Sequence, residues 1–378
     1  MASSQTNLIF SFLLTLNFLF FLLPLPSSAT ISLCSPNAIY QLGDSISDTG
    51  NLIRQSTSPK ASVFAHLPYG ISFLGQPTGR CSNGLLMIDY IAMSLRLPLL
   101  NPYLAKDSDF SHGVNFAVAG STALDSSFLA ENDINSPITN SSLSIQLNWL
   151  KSHLKSICHT KKDCEEKLTR SIFFVGEIGG NDYNYGFFRG LKTMDEVQKI
   201  LVPHVVQSIT RTVMEVIKLG ATQVIVPGNF PIGCLPIYLT IFQTNDTEAY
   251  NEFKCLKGLN GFAMFHNDQL QQALQQLRNA HPNVDIVYAD YYNAFKWVLH
   301  RAPLLGFDKD SLQKACCGSG GGKYNFERRN LCGVAEATVC PIPETYISWD
   351  GIHLTEKAYM HIANWLIRDL TPKLKCLF

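Results

Sequence analysis

The chain has 378 residues, 46% of them hydrophobic, which is enough to bury a large core in one α/β domain or in two smaller ones. Thirty basic and thirty acidic side chains cancel to a formal charge of zero. That balance argues against a partner held by bulk electrostatics, whether nucleic acid or an anionic membrane.

At the N-terminus, Leu8 to Leu23 is almost wholly apolar, Pro24 and Pro26 break the run, and Ser27-Ser28-Ala29 offers small residues for cleavage. A secretory signal peptide over residues 1–29 is expected, leaving a mature chain that starts near Thr30 without a stable membrane anchor. An uncleaved span suits the length of the run but not its prolines. Beyond this leader no segment reads as apolar enough to cross a bilayer. Eleven cysteines fit the oxidising compartment that a leader implies, and their odd number leaves at least one thiol unpaired. Cys158 and Cys164 are close enough to staple a short loop. Cys316, Cys317, Cys332 and Cys340 gather late in the chain, where spacing does not give connectivity. Asn140-Ser141-Ser142 and Asn245-Asp246-Thr247 are N-glycosylation sequons, which makes Asn140 and Asn245 candidate modification sites.

Short apolar runs alternate with longer helical patterns, the signature of a parallel sheet covered on both faces. Strands are expected at Ala38 to Leu42, Val114 to Val118, Ile172 to Val175, Gln223 to Val226 and Val284 to Tyr288. Val205, Ile209, Val213 and Ile217 form one helical stripe that should stop at Gly220, and Leu270, Leu274 and Leu277 form another. Met264 and Phe265 read as packing residues rather than a cofactor site. Gln55 to Gln76 and Cys316 to Pro343 read as insertions. The second contains Gly318 to Gly322, but Lys323 is followed by Tyr324, so it lacks the ending of a phosphate cradle and reads as a disulfide-tied loop.

Chemistry concentrates in three blocks. Ser45, in Gly43-Asp44-Ser45-Ile46-Ser47-Asp48-Thr49-Gly50-Asn51, sits where the first strand meets a turn. A serine hydroxyl is a weak nucleophile until a base takes its proton. Trp349-Asp350-Gly351-Ile352-His353 supplies that base and its orienting acid on one loop, with His353 able to face Ser45 while Asp350 holds its other ring nitrogen. Asn181, in Gly179-Gly180-Asn181-Asp182, offers a neutral amide donor to a developing oxyanion. Asp44, Asp48 and Asp182 suit turn and capping roles, because negative charge aimed at the transition state would oppose it. No Cys-x-x-Cys or His-Glu-x-x-His string is present, so no metal site is expected.

Taken together, Gly-Asp-Ser-x-x-Asp-Thr-Gly-Asn, Gly113-Val-Asn-Phe-Ala, Gly180-Asn-Asp and Trp349-Asp-Gly-Ile-His resemble the GDSL (SGNH) hydrolases, and the fuller strings resemble the plant secreted branch. Gln41 departs from that branch, being polar where an apolar strand residue is usual. The resemblance implies a flavodoxin-like three-layer α/β/α sandwich with a parallel sheet, formed by residues 30–378 as a single hydrolase domain. It also implies a secreted carboxylic-ester hydrolase acting on a small-molecule ester through an acyl-enzyme. Ser45, Asp350 and His353 would be catalytic. The N–H groups of Ser45 and Gly120 with the Asn181 amide would form the oxyanion hole, with Gly113 as the fallback for Gly120, and no metal or organic cofactor is implied. The narrower likeness is to the subgroup of acetylajmalan and sinapine esterases, pointing to short acyl esters of small plant metabolites or lipids. The extracellular space is the expected destination, with the vacuole as an alternative.

Two rivals share these features. An acyltransferase would discharge the same acyl-enzyme onto a sugar or alcohol. A non-catalytic binding or defence glycoprotein would keep the fold, although all the triad residues are in place.

Overall fold

A computed structural model describes residues 36–55, 62–134 and 138–374 of the chain. The expected leader over residues 1–29 lies outside the described residues, as do Cys34 and Cys376. Five strands build the main sheet: β1 (Ala38–Leu42), β2 (Gly113–Asn115), β3 (Ser171–Val175), β4 (Gln223–Pro227) and β5 (Asp285–Ala289). Their order is β2-β1-β3-β4-β5, with every neighbouring pair parallel. The first four are buried along their whole length, which is why they read as mainly apolar runs rather than alternating ones.

Two helical layers cover the sheet. One contains α2 (Leu143–Ile157), α4 (Val202–Leu219) and α5 (Lys257–Ala280), and the other α1 (Met87–Ser94), α6 (Tyr291–Arg301) and α7 (Glu356–Leu370). A further helix, α3 (Gly180–Phe188), follows β3. This is the expected three-layer α/β/α sandwich. The chain runs from β1 out to β2 and then crosses back over β1 to β3, so the order reverses between β1 and β3. The crevice outside the carboxyl ends of those two strands is where such sheets bind ligands. The described residues belong to one compact unit.

Several expectations are adjusted. The second strand is shorter than expected: Asn115 Oδ1 accepts the Ala117 N–H at 2.9 Å and folds the chain out of the ladder, although Phe116 N still donates to Gln41 O. Gly220 ends α4 in the left-handed conformation, but Ile217 is only half-buried and Val216 takes its place in the core. The helical run Met194–Leu219 is long and apolar enough to cross a membrane, contrary to the sequence reading. Val205, Ile209 and Val213 are nevertheless buried, and the helix packs on β3 and α5, so this apolarity serves the core. Met264, expected to pack, is 45% exposed, while Phe265 is half-buried. Gln41 fits its buried strand position because its Nε2 donates to Leu42 O and Gly176 O, both at 2.7 Å.

Among the described residues four disulfides are formed: Cys158–Cys164, Cys234–Cys255, Cys316–Cys340 and Cys317–Cys332. Cys81 is a free, buried thiol.

Candidate active site

Ser45 lies three residues beyond β1, and Leu42 at the end of β1 pairs with Val175 at the end of β3. The turn carrying Ser45 is held by Asp48, whose carboxylate accepts the N–H groups of Gly50, Asn51 and Leu52. Asp48 Oδ2 also accepts Ala119 N at 2.8 Å, which ties the serine turn to the Gly120 turn. Gly120 has φ +81°, and a Cβ there would lie 2.6 Å from Ile138, so glycine suits both the backbone conformation and the space. Gly113 plays no such part. It pairs with Ile39 near the start of β1, at the far end of the ladder from Ser45, and its close approach to the Ile39 carbonyl excludes a side chain.

The long connection between α6 and α7 brings Asp350 and His353 to the serine. His353 Nε2 lies 2.8 Å from Ser45 Oγ, and its Nδ1 lies 2.7 Å from Asp350 Oδ2. Asp350 Oδ1 accepts the N–H groups of Ile352 and His353, so a four-residue loop folds back on its own carboxylate. The three side chains are 4–8% exposed. Burial disfavours the Asp350 charge, but His353 and these hydrogen bonds outweigh it and hold the carboxyl below its ordinary value. The Tyr69 hydroxyl, from the Gln55–Gln76 insertion, donates to Asp350 Oδ2 at 2.8 Å. Asp350 therefore has one donor from the imidazole side and another from a phenol. Such an arrangement fixes the imidazole tautomer and leaves Nε2 free to take a proton from Ser45.

Asn181 is the second residue of α3. Its Nδ2 donates to Ser121 O at 2.9 Å and, over a long 3.3 Å, to Asp44 Oδ2. Among the described residues, the backbone N–H groups of Ser45 and Gly120 have no acceptor within the protein. Asp44 caps its own turn through Ile46 N, whereas Asp182, expected to cap or turn, accepts Ala123 N and Leu124 N and so ties α3 to the stretch after Gly120. Asp44 does more than cap. Its carboxyl is hydrogen-bonded to that of Glu177, which also accepts Gly180 N. Two carboxyl groups bond to one another only if one keeps its proton. Burial pushes both upward, and Glu177 further because the charges of Asp44 and then Asp182 oppose its ionisation. Glu177 and Asp44 thus hold one proton between them.

Two hollows meet at Ser45, Asn181, Asn184 and Ile352. The smaller, about 50 Å³, is lined by Phe230, Ile232, Leu235 and Tyr238. The larger, about 230 Å³, has walls of Phe64, Ile138, Phe188, Ile237, Phe326 and Leu331, with Gly120 and His353 at its floor. Among the described residues no group of histidine, cysteine and acidic side chains could hold a metal ion.

Residues 39–366 match the family described as GDSL-like lipase/acylhydrolase. The chain belongs to that family. It is 46% identical to acetylajmalan esterase 1 of Rauvolfia serpentina over 92% of this chain and 89% of that protein. It is 45% identical to acetylajmalan esterase 2 of the same plant, over 93% and 94%. A GDSL esterase/lipase of Arabidopsis thaliana is 46% identical over 91% and 92%. The protein is accordingly a carboxylic-ester hydrolase. Of the residues picked out in this esterase's sequence, Ser45, Asp350, His353, Gly120 and Asn181 converge on one crevice. Tyr69 and Glu177 join them unannounced. Glu177 stands three residues before Gly180, so an acid inside the glycine-rich block was the available signal, whereas Tyr69 carried none.

Proposed function

We propose that the enzyme is secreted after loss of residues 1–29 and hydrolyses short-chain acyl esters of small plant metabolites through an acyl-enzyme formed on Ser45. The observation that carries the reading is the continuous chain Ser45 Oγ, His353 Nε2, His353 Nδ1, Asp350 Oδ2, with links of 2.8 and 2.7 Å. Ser45 Oγ attacks the ester carbonyl carbon as its proton moves to His353 Nε2. The carbonyl oxygen gains the negative charge and takes up the free N–H groups of Ser45 and Gly120. Asn181 releases its long bond to Asp44 and becomes the third donor. Collapse expels the alcohol, which receives the proton from His353, and leaves the acyl group on Ser45. Water then repeats the sequence, losing a proton to His353 and freeing the acid and the serine.

The two hollows support a division of the substrate, with the short acyl chain in the 50 Å³ hollow and the bulkier alcohol in the 230 Å³ one. The Rauvolfia relatives, acetylajmalan esterases by name, point the same way, since that name denotes an acetylated substrate. Asn245 and Thr247 are exposed, so that sequon is open to glycosylation. Asn140 is exposed too, while Ser142 of its sequon is buried.

The test is pre-steady-state kinetics with an excess of a chromogenic short-chain ester. Wild type should release one equivalent of alcohol in a burst, with the acyl group recoverable on the peptide containing Ser45. Ser45→Ala should lose hydrolysis while melting as wild type does. A Ser45→Ala variant with normal turnover would end the proposal. Product analysis with an added alcohol acceptor separates hydrolysis from acyl transfer.

A further inference from the structure

The charge around the larger hollow is one-sided. Its wall contains two arginines, Arg189 and Arg328, and no aspartate or glutamate. Neither arginine forms an ion pair among the described residues, although the molecule pairs many of its other charges. Nor do the two heads swing free. Arg189 lies over the Tyr185 ring at 5.1 Å and Arg328 over the Phe188 ring at 5.6 Å, and both rings belong to residues lining the hollow. Arg328 Nη2 also donates to Phe188 O at 2.6 Å, which ties the disulfide-bound loop to the last turn of α3. Stacking on a ring face leaves the edge of a guanidinium, with its remaining donors, open to an acceptor.

We propose that Arg189 and Arg328 form an anion-binding rim over the alcohol hollow, so that the preferred substrate is an ester whose alcohol part carries a carboxylate or a comparable oxyanion. This rests on the proposed function of the same site. An apolar cavity binds the body of the alcohol without regard to its charge. Two fixed guanidiniums without counter-charges add charge-assisted hydrogen bonds to an anion and repel a protonated amine. Both arginines come from outside the sheet, one from the end of α3 and one from the loop after Cys317. They set selectivity and leave the proton transfers at Ser45 to other groups.

Three acetate esters of matched size test the rim: 4-acetoxybenzoate, 4-methylphenyl acetate and 4-(aminomethyl)phenyl acetate, which are anionic, neutral and cationic at neutral pH. Each kcat/KM is divided by that ester's rate with hydroxide, to remove leaving-group differences. The expected order is anionic, neutral, cationic, with roughly tenfold between the first two, the scale of one charge-assisted hydrogen bond. The anionic preference should shrink with added salt. It should fall toward one in an Arg189→Gln/Arg328→Gln variant and persist in Arg211→Gln, an exposed arginine on α4. Equal normalised rates for the three esters, all lost in Ser45→Ala, would leave the esterase reading standing and overturn the rim. A preference unchanged in the double variant would also overturn it. Failure of wild type to hydrolyse any of the three would sink the site reading and the rim together.

Discussion

At the scale of single residues, the crevice combines one acid that must be charged with a pair of acids that must keep a proton. Asp350 is held ionised beside His353, whereas Glu177 and Asp44 share one proton, and Asp44 in turn holds Asn181. Glu177 is faced by Asp44, Asp182, Tyr183, Tyr238 and Tyr291, and His353 faces Asp44. As pH rises, the shared proton is lost and a second negative charge appears next to the oxyanion site, so wild-type kcat should fall on the alkaline side. Glu177→Gln keeps a neutral donor to Asp44 and an acceptor for Gly180 N. Its pH–rate profile should stay flat through that alkaline region, and an alkaline limb identical to that of wild type would refute the account. For Asn181, Ala should lower kcat by roughly 10²-fold with little change in KM, and Asp should be worse, because it replaces a donor with charge facing charge. A mere turn residue would rank the two the other way. Ser45, Asp350 and His353 were readable because each sits in a short string whose spacing serves its chemistry. Tyr69 was not. It meets Asp350 across 281 positions, and a tyrosine in a loop has no local pattern to betray a distant partner.

At the scale of elements, apolar runs and stripes located every strand of the main sheet, because burial on both faces writes itself into composition. Details failed where side chains rather than periodicity decided the outcome. Asn115 ends β2 through its own amide oxygen, and buried Gln41 is satisfied by carbonyls at the ends of β1 and β3. The start of α1 shows the same logic. Asp89 accepts Leu86 N and forms a two-pronged pair with Arg80, through Nε at 2.8 Å and Nη2 at 2.7 Å, both side chains being buried. Removing either partner strands a buried charge. Asp89→Ala or Arg80→Ala should therefore cost about 3–5 kcal/mol, measured by urea unfolding. A loss below about 1 kcal/mol, the usual value of an exposed pair, would show that the buried site admits water.

Across the whole molecule, the Asp350–His353 loop is braced by the disulfide-rich insertion. Cys316 N donates to Ser348 O and Cys317 N to Trp349 O, immediately before Asp350, and Cys340 N donates back to Cys316 O. Trp349, Tyr69 and the cysteines of both late bridges pack in one buried cluster. Replacing Cys317 and Cys332 by serine removes a bridge of separation 15, worth about 3 kcal/mol by loop entropy. Because that bridge holds the backbone under the catalytic pair, kcat should drop further than the same stability loss placed at Cys158–Cys164. Equal kcat in the two double variants at matched stability would show that the brace is not mechanical. The larger hollow has a consequence for descent. Its floor is set by strand ends and the triad loop, but Phe64, Ile138, Phe326, Arg328 and Leu331 come from separate stretches of connecting chain. Duplicated genes can therefore exchange wall residues and acquire new esters one mutation at a time while the inherited hydrolytic apparatus stays intact.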